Sequence, residues 1–155
     1  TPSRSSAASD VYKRQEMISE HKGVRWFDDS KSTTPHSVTA ALESLDNVLL
    51  IMGGRNKGLD LTVIAPMLNR VKEIIAIGEA SEEIELAFGK EVNVSLAKSM
   101  QDAVGIAHSR SRSGDVVLLS PGCASFDWYK NYKERGLDFA MRVNELLKEE
   151  KNVNY

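Results

Sequence analysis

The sequence predicts a doubly wound α/β fold, in which a mostly parallel sheet carries helices on both faces. Short apolar runs alternate along the chain with segments of helical spacing, as expected for repeated strand–loop–helix units. The strongest runs, residues 47–52 (NVLLIM) and 115–119 (DVVLL), show no alternation of polar and apolar positions. Unbroken apolar runs of this length are typical of parallel strands that are buried on both faces.

The first half of the chain predicts two strands, each followed by a helix. Residues 24–27 form a short apolar strand, and a helix over residues 35–45 follows it. Thr34 stands at the N-cap of this helix and Pro35 at its first position, where the missing N–H is not needed. The strand at residues 47–52 leads into a helix at about residues 61–69.

The second half repeats the pattern and completes a Rossmann-like sheet. Its predicted elements are a strand at 73–77, a helix at 81–88, a weak strand at 92–94, a helix at 100–111, a strand at 115–119 and a long closing helix at 127–149. The closing helix contains Gly136, and we expect an interruption near that residue.

Composition excludes several classes of protein. The 155 residues include 20 Lys and Arg against 22 Asp and Glu, a balance that argues against neutralising nucleic-acid backbones. A single cysteine and three scattered histidines predict neither a disulfide framework nor a metal cluster. No apolar run approaches the ~20 residues that cross a bilayer. We therefore expect a soluble, cytoplasmic domain that acts on a small molecule, without a nucleic-acid or membrane partner.

Residues 1–15 (TPSRSSAASDVYKRQ) differ from the rest of the chain. They are rich in Ser, Ala and Arg, show no periodicity, and lack the apolar region of a secretory signal. Three basic residues are too few to indicate a nucleic-acid-binding arm. We predict a disordered or non-native leader at 1–15 and a domain at 16–155.

Three strand-to-helix loops hold most of the polar chemistry, at the edge where open α/β sheets bind ligands. The first loop, residues 28–34 (DDSKSTT), offers carboxylates, an ammonium group and hydroxyls at a helix N-terminus, which favours anions. The second loop, residues 53–58 (GGRNKG), combines two cations with glycines that allow close backbone approach. The third loop is residues 120–127 (SPGCASFD). Taken singly, each could also be a capping loop or a flexible turn.

Known loop motifs do not account for these segments. Neither the P-loop G-x-x-x-x-G-K-[ST] nor the dinucleotide motif G-x-G-x-x-G is present. Ser125 lacks the G-x-S-x-G elbow of a nucleophile, and it could instead cap the last helix, with Asp127 in the first turn. Cys123 has apolar neighbours and is predicted to be a buried small residue. A phosphoacceptor receiver domain is disfavoured, because the strand ending at Ile77 is followed by Gly-Glu and no aspartate.

In combination, the loops resemble the C-terminal domain of the Mur ligases, and within that family the branch that adds D-glutamate. The motifs are DDSKST at 28–33, GGRNKG at 53–58 and LLSPGCASFDWYKNYKERG at 118–136, and the resemblance covers about residues 23–147. It implies an ATP-dependent ligase of peptidoglycan synthesis, which activates a carboxylate as an acyl phosphate for attack by the D-glutamate amine. The implied cofactors are ATP and Mg²⁺, and the implied co-substrate is UDP-N-acetylmuramoyl-L-alanine.

The resemblance also implies roles for individual residues. Asp29 would face the nucleotide and Lys31 would lie near its phosphates. The residues implied in D-glutamate binding are Thr33, Lys57, Ser125, Phe126 and Tyr132. Ser32 and Thr34 replace the alanine and asparagine that the family often shows, which affects only the spacer and the helix cap. No catalytic residue and no metal ligand is implied within this chain.

The family keeps its ATP loop, metal ligands and carboxylate-activating groups in a central domain, and its UDP-sugar site in an N-terminal domain. The resemblance therefore implies a fragment without ligase activity of its own, which binds D-glutamate weakly. Its partners would be the two missing domains, and closure onto the central domain would complete the ATP site. The alternative is a stand-alone small-molecule or nucleotide-binding α/β module without chemistry. A P-loop encoded upstream would favour the first interpretation.

Overall fold

Within residues 15–153, which a computed structural model describes, six strands form one sheet in the order β1-β2-β6-β3-β4-β5. Strands β2 to β6 pair in parallel, and β1 runs antiparallel to β2. The strands are β1 (Glu16–His21), β2 (Val24–Asp28), β3 (Val48–Gly53), β4 (Val71–Ile77), β5 (Asn93–Leu96) and β6 (Val116–Leu119). The predicted doubly wound, mostly parallel sheet is confirmed.

Helices cover both faces of this sheet. One face packs against α1 (Pro35–Leu42), a 3₁₀ helix (Leu61–Arg70) and α2 (Ser81–Phe88). The other face packs against α3 (Met100–Arg110) and α4 (Tyr132–Val153). Over residues 15–153, no helix combines the length and apolar character that a bilayer crossing requires.

Strand β3 lies at the centre of the core and is buried over its whole length. Leu50 and Met52 belong to the apolar cluster on the α1 face, and Leu49 and Ile51 to the cluster on the α4 face. This placement explains the unbroken apolar run in the sequence, since alternate side chains of a strand point to opposite faces. Parallel strands covered by helices on both sides need apolar residues at every position.

The helix at Pro35 begins as the sequence predicts. Thr34 has an extended backbone, and its side chain accepts a hydrogen bond from the Ser37 N–H at 3.3 Å. Because Pro35 has no N–H, the first turn has one fewer donor that needs a partner. This cap also ends the first loop, so it fixes where that loop leaves the sheet edge.

The predicted helix near residues 61–69 is a 3₁₀ helix rather than an α-helix. Pro66 lies inside it, and proline both lacks an N–H and clashes with the carbonyl four residues earlier in an α-helix. The tighter 3₁₀ winding accommodates it, and Asp60 caps the first turn by accepting from the Thr62 N–H at 3.0 Å.

The closing helix starts later than predicted. Residues 125–128 form a turn, in which the Ser125 carbonyl accepts from the Trp128 and Tyr129 N–H groups at 3.2 and 2.8 Å. Asn131 caps α4 instead, by accepting from the Glu134 N–H at 2.9 Å. The predicted capping by Ser125 and placement of Asp127 in the first turn were therefore wrong.

The interruption expected at Gly136 was also wrong, because α4 runs through this residue. Its role is close packing. A Cβ there would lie 2.5 Å from the Ser30 hydroxyl oxygen and 2.6 Å from an Asp28 carboxylate oxygen. Glycine costs a helix about 1 kcal/mol relative to alanine, but here it allows α4 to touch the first loop.

Strand β1 was not predicted. It is an edge strand of mixed burial, and a turn at Lys22 and Gly23 joins it to β2. Both turn residues have positive φ, 51° and 79°, as in the two-residue hairpins that match strand twist. Of the predicted leader at 1–15, only Gln15 lies within the described residues, so the leader and the 16–155 boundary stay predictions.

Candidate functional site

The three loops meet at the carboxyl edge of the sheet, and their backbones are bonded to one another. The Gly122 N–H donates to the Ser32 carbonyl at 2.8 Å, which joins the third loop to the first. Arg55 and Ala124 exchange two backbone hydrogen bonds, of 2.8 and 3.1 Å, which join the second loop to the third. These main-chain links fix the spacing of the loops at two points.

The paired glycines of the second loop are required by close approach. Gly53 and Gly54 have φ values of 133° and 135°, in the region that side chains rarely adopt. A Cβ at Gly53 would collide with the Ile77 carbonyl oxygen, and one at Gly54 with the Ala124 carbonyl oxygen. This part of the second loop is therefore wedged between its neighbours and is not simply a flexible turn.

The tip of the second loop is held by Asn56. Its amide donates to the Leu59 carbonyl and to a Glu83 carboxylate oxygen, both at 2.9 Å, and its carbonyl accepts from the Leu59 N–H at 3.0 Å. A side chain that bonds across its own turn reduces the freedom of the residues between. Lys57, the next residue, consequently extends from an ordered base.

A cavity of about 510 Å³, called the first cavity below, opens between the loops. Its lining includes every residue that was predicted to bind D-glutamate: Thr33, Lys57, Ser125, Phe126 and Tyr132. Two cations, Lys57 and Arg55, contribute to the lining, and no carboxylate does among the residues described. The chemistry of this lining favours a small anion.

Lys57 is oriented by an aromatic side chain of the third loop. Its Nζ lies 5.1 Å from the centroid of the Phe126 ring, and that ring is 54% exposed. A cation–π contact at an exposed site contributes about 0.5–1 kcal/mol, enough to bias the position of a lysine head group. Ser125, by contrast, is buried in the wall of the cavity.

Arg135 holds the three loops together from behind the first cavity. Its Nη1 donates to the Cys123 carbonyl at 3.0 Å and its Nη2 to the Ser30 carbonyl at 3.1 Å. A Cβ on Gly54 would lie 3.2 Å from the same Nη1, so the second loop also packs on the guanidinium. The side chain is 1% exposed, and burial lowers its pKa to about 10, which leaves it charged at neutral pH.

Sequence reasoning assigned no role to Arg135, although a signal was present. Arg135, Phe139 and Val143 follow at intervals of four residues, and the two apolar residues belong to the core. A charged residue on the buried stripe of a helix needs polar partners in the interior. The spacing therefore pointed to a structural guanidinium.

A second cavity, of about 400 Å³, adjoins the first and shares Tyr132 with it. It is lined by residues of β1, the first loop and α4, among them two acids, Glu16 and Asp28, and two lysines, Lys31 and Lys133. Lys31, expected near nucleotide phosphates, thus lies on this cavity. In the part of the chain that the structure describes, no group of three His, Cys, Asp or Glu side chains is placed to hold a metal ion.

Asp29, expected to face the nucleotide, is 1% exposed. Its carboxylate accepts hydrogen bonds from the hydroxyls of Ser32 and Ser120, the latter at 2.8 Å. It therefore ties the first loop to the start of the third, and it does not contribute to the lining of either cavity. Its contact with a nucleotide stays a prediction.

Cys123 is buried at the back of the first cavity, and burial raises its pKa to about 12. Since the thiolate is the reactive form, we expect iodoacetamide at mildly alkaline pH to modify the native chain at least about a hundredfold more slowly than the urea-unfolded chain. Mass spectrometry of timed samples would measure both rates. Equal rates in the two states would show that the thiol is accessible.

Comparisons with known proteins show which family this chain belongs to. The family model described as "Mur ligase, glutamate ligase domain" matches residues 13–123. UDP-N-acetylmuramoylalanine–D-glutamate ligase of Chlamydia felis is 45% identical over 86% of this chain and 32% of its own length. The ligase of the same name from Geotalea uraniireducens is 44% identical over 86% of the chain and 30% of its length. The chain thus spans about a third of these curated relatives.

Solved structures share the fold at low sequence identity. UDP-N-acetylmuramate–alanine ligase of Thermotoga maritima superposes with a TM-score of 0.59, at 10% identity, over 85% of this chain and 30% of the solved chain. A murein peptide ligase of Psychrobacter arcticus gives 0.57, at 16% identity, over 82% and 29%. In both, the likeness covers most of this chain and under a third of the other.

Proposed function

Since this chain belongs to the Mur ligase family through its glutamate ligase domain, we propose that it is the amino-acid-binding domain of a longer ATP-dependent ligase. That ligase would join D-glutamate to UDP-N-acetylmuramoyl-L-alanine in the cytoplasm, during peptidoglycan synthesis. The observation that carries this proposal is the single cavity lined by Thr33, Lys57 and Ser125. Relatives named for this reaction match 86% of the chain, which supports the choice of D-glutamate.

The chemistry of the lining suits this substrate. The amine of D-glutamate must be free to attack an acyl phosphate, while its two carboxylates are held. The Lys57 ammonium and the Thr33 and Ser125 hydroxyls can donate hydrogen bonds to carboxylates, and they do not add a carboxylate that would repel the ligand. Their contribution would be positioning, which for well-oriented reactants lowers a barrier by ~7–11 kcal/mol.

ATP would supply the phosphoryl group that activates the carboxylate. Lys31 and Lys133, which both line the second cavity, are the residues suited to its phosphate oxygens. With ATP, Mg²⁺ usually takes one or two carboxylates together with phosphate oxygens and waters. From the family resemblance, we propose that the metal and the rest of the ATP site belong to the central domain of the longer ligase.

The alternative is a stand-alone binding module, and the coding sequence upstream distinguishes the two. A G-x-x-x-x-G-K-[ST] loop encoded before residue 16, in the same reading frame, would support the ligase. A start codon with no such loop would support the module. The two thirds of each relative that this chain does not cover are long enough to contain the further domains.

We expect the isolated chain to bind D-glutamate with millimolar or weaker affinity and to release no phosphate from ATP. Titration followed by amide NMR should shift residues of the first cavity with D-glutamate more than with L-glutamate. A coupled phosphate-release assay with all three substrates measures turnover. Turnover by the chain alone would contradict the fragment interpretation. An absence of shifts in the first cavity would contradict the site.

A further inference from the structure

We propose that Arg55 is a second carboxylate-binding residue of the first cavity. Without ligand, its guanidinium pairs with Glu79, and it exchanges Glu79 for a ligand carboxylate when a dicarboxylate binds. This inference rests on the proposed function and deepens it, because it assigns the selectivity for two carboxylates to two cations. Arg55 contributes to the lining of the same cavity as Lys57.

The first reason is the balance of charge. D-glutamate carries two carboxylates, and the lining as described offers the ammonium of Lys57 and the guanidinium of Arg55. Lysine is a compact point charge on a flexible stem, whereas arginine presents a planar fork that matches a carboxylate with two parallel bonds. A site with both can hold each carboxylate by a separate cation.

The second reason is that Arg55 already makes the bond that the ligand would need. Its Nε donates to one Glu79 carboxylate oxygen at 3.1 Å and its Nη2 to the other at 2.9 Å. The two side chains are 45% and 55% exposed, and surface ion pairs of this kind contribute little net free energy. Exchanging Glu79 for a ligand carboxylate therefore replaces one bidentate bond by another at small cost.

The third reason is the fixed origin of the side chain. The Arg55 backbone is bonded to Ala124 in both directions, which places the residue next to the buried Ser125. Only the side chain has to move. Asp127 is the other acid whose charge acts on Arg55, but its carboxylate already accepts from the Glu79 N–H at 3.0 Å. Glu79 is thus the carboxylate that competes with a ligand for the Arg55 guanidinium.

The test is a set of NMR titrations of the full chain with D-glutamate and with D-glutamine, which has one carboxylate. Glu79→Gln should tighten D-glutamate binding about two- to fivefold, because it releases Arg55. Arg55→Gln should weaken D-glutamate binding about tenfold and D-glutamine binding by clearly less. Glu82→Gln, which removes an exposed acid from α2 just after Glu79, controls for long-range charge and should change neither affinity.

The double variant separates release of Arg55 from a general gain in positive charge. Glu79→Gln should have no effect in the Arg55→Gln background if Glu79 acts only through Arg55. Equal tightening in both backgrounds, or weakening of both ligands by Glu79→Gln, would overturn the inference. If Lys57→Ala weakens D-glutamate binding and Arg55→Gln does not, the inference fails and the proposed function stands. If the unmodified chain shows no shifts in the first cavity, both fail.

Discussion

Lys57→Ala is expected to raise the KM for D-glutamate roughly ten- to a hundredfold in the longer ligase, with a smaller change in the KM for ATP. Hydrogen bonds to charged groups contribute about 1.5–3 kcal/mol, which corresponds to that range. Lys57 projects from a loop that Asn56 ties down, and Phe126 lies against its ammonium group. Neither Thr33 nor Ser125 can replace its charge.

Steady-state kinetics of the polypeptide that includes the upstream domains would measure this effect. Lys90→Ala is the matched control, since Lys90 is an exposed lysine away from the three loops. Its KM for D-glutamate should equal that of the unmodified enzyme. A Lys57→Ala enzyme with an unchanged KM would remove Lys57 from the site, and the charge argument for the first cavity would fail with it.

Arg135→Met should have the largest effect on stability. The change leaves the Ser30 and Cys123 carbonyls without their donor in a buried environment, while it relieves the cost of burying a charge. The net effect is a decrease of about 2–4 kcal/mol in the free energy of unfolding. For a chain of this length, that loss lowers Tm by about 5–15 °C.

Thermal unfolding followed by circular dichroism would measure the loss. The Tm of Arg135→Lys should lie between those of the unmodified chain and Arg135→Met, because a lysine keeps the charge but cannot donate to both carbonyls from one rigid fork. Arg142→Met is the control on the same helix, where the arginine is only partly buried and pairs with Asp138 at 3.1 Å. A Tm for Arg135→Met equal to that of Arg142→Met would show that the loops do not depend on this guanidinium.

Much of the fold could be predicted from apolar runs and capping residues in the sequence. The apolar run of β3 and the N-cap at Thr34 were predicted and are present. Edge strand β1 was missed because its burial is mixed, and an apolar run could not mark it. The type of the helix at Leu61–Arg70 and the start of α4 were misjudged, since both depend on geometry at single residues, Pro66 and Asn131.

The residues of the site could be predicted from the sequence as three separate loops, but their arrangement could not. Periodicity, capping and turn chemistry act over a few neighbouring residues, so they determine elements and loop composition. Contacts such as Asp29 with Ser120 and Ser30 with Arg135 join residues 91 and 105 positions apart. Only the parallel winding of the sheet, which carries successive strand ends to one edge, decides that such residues meet.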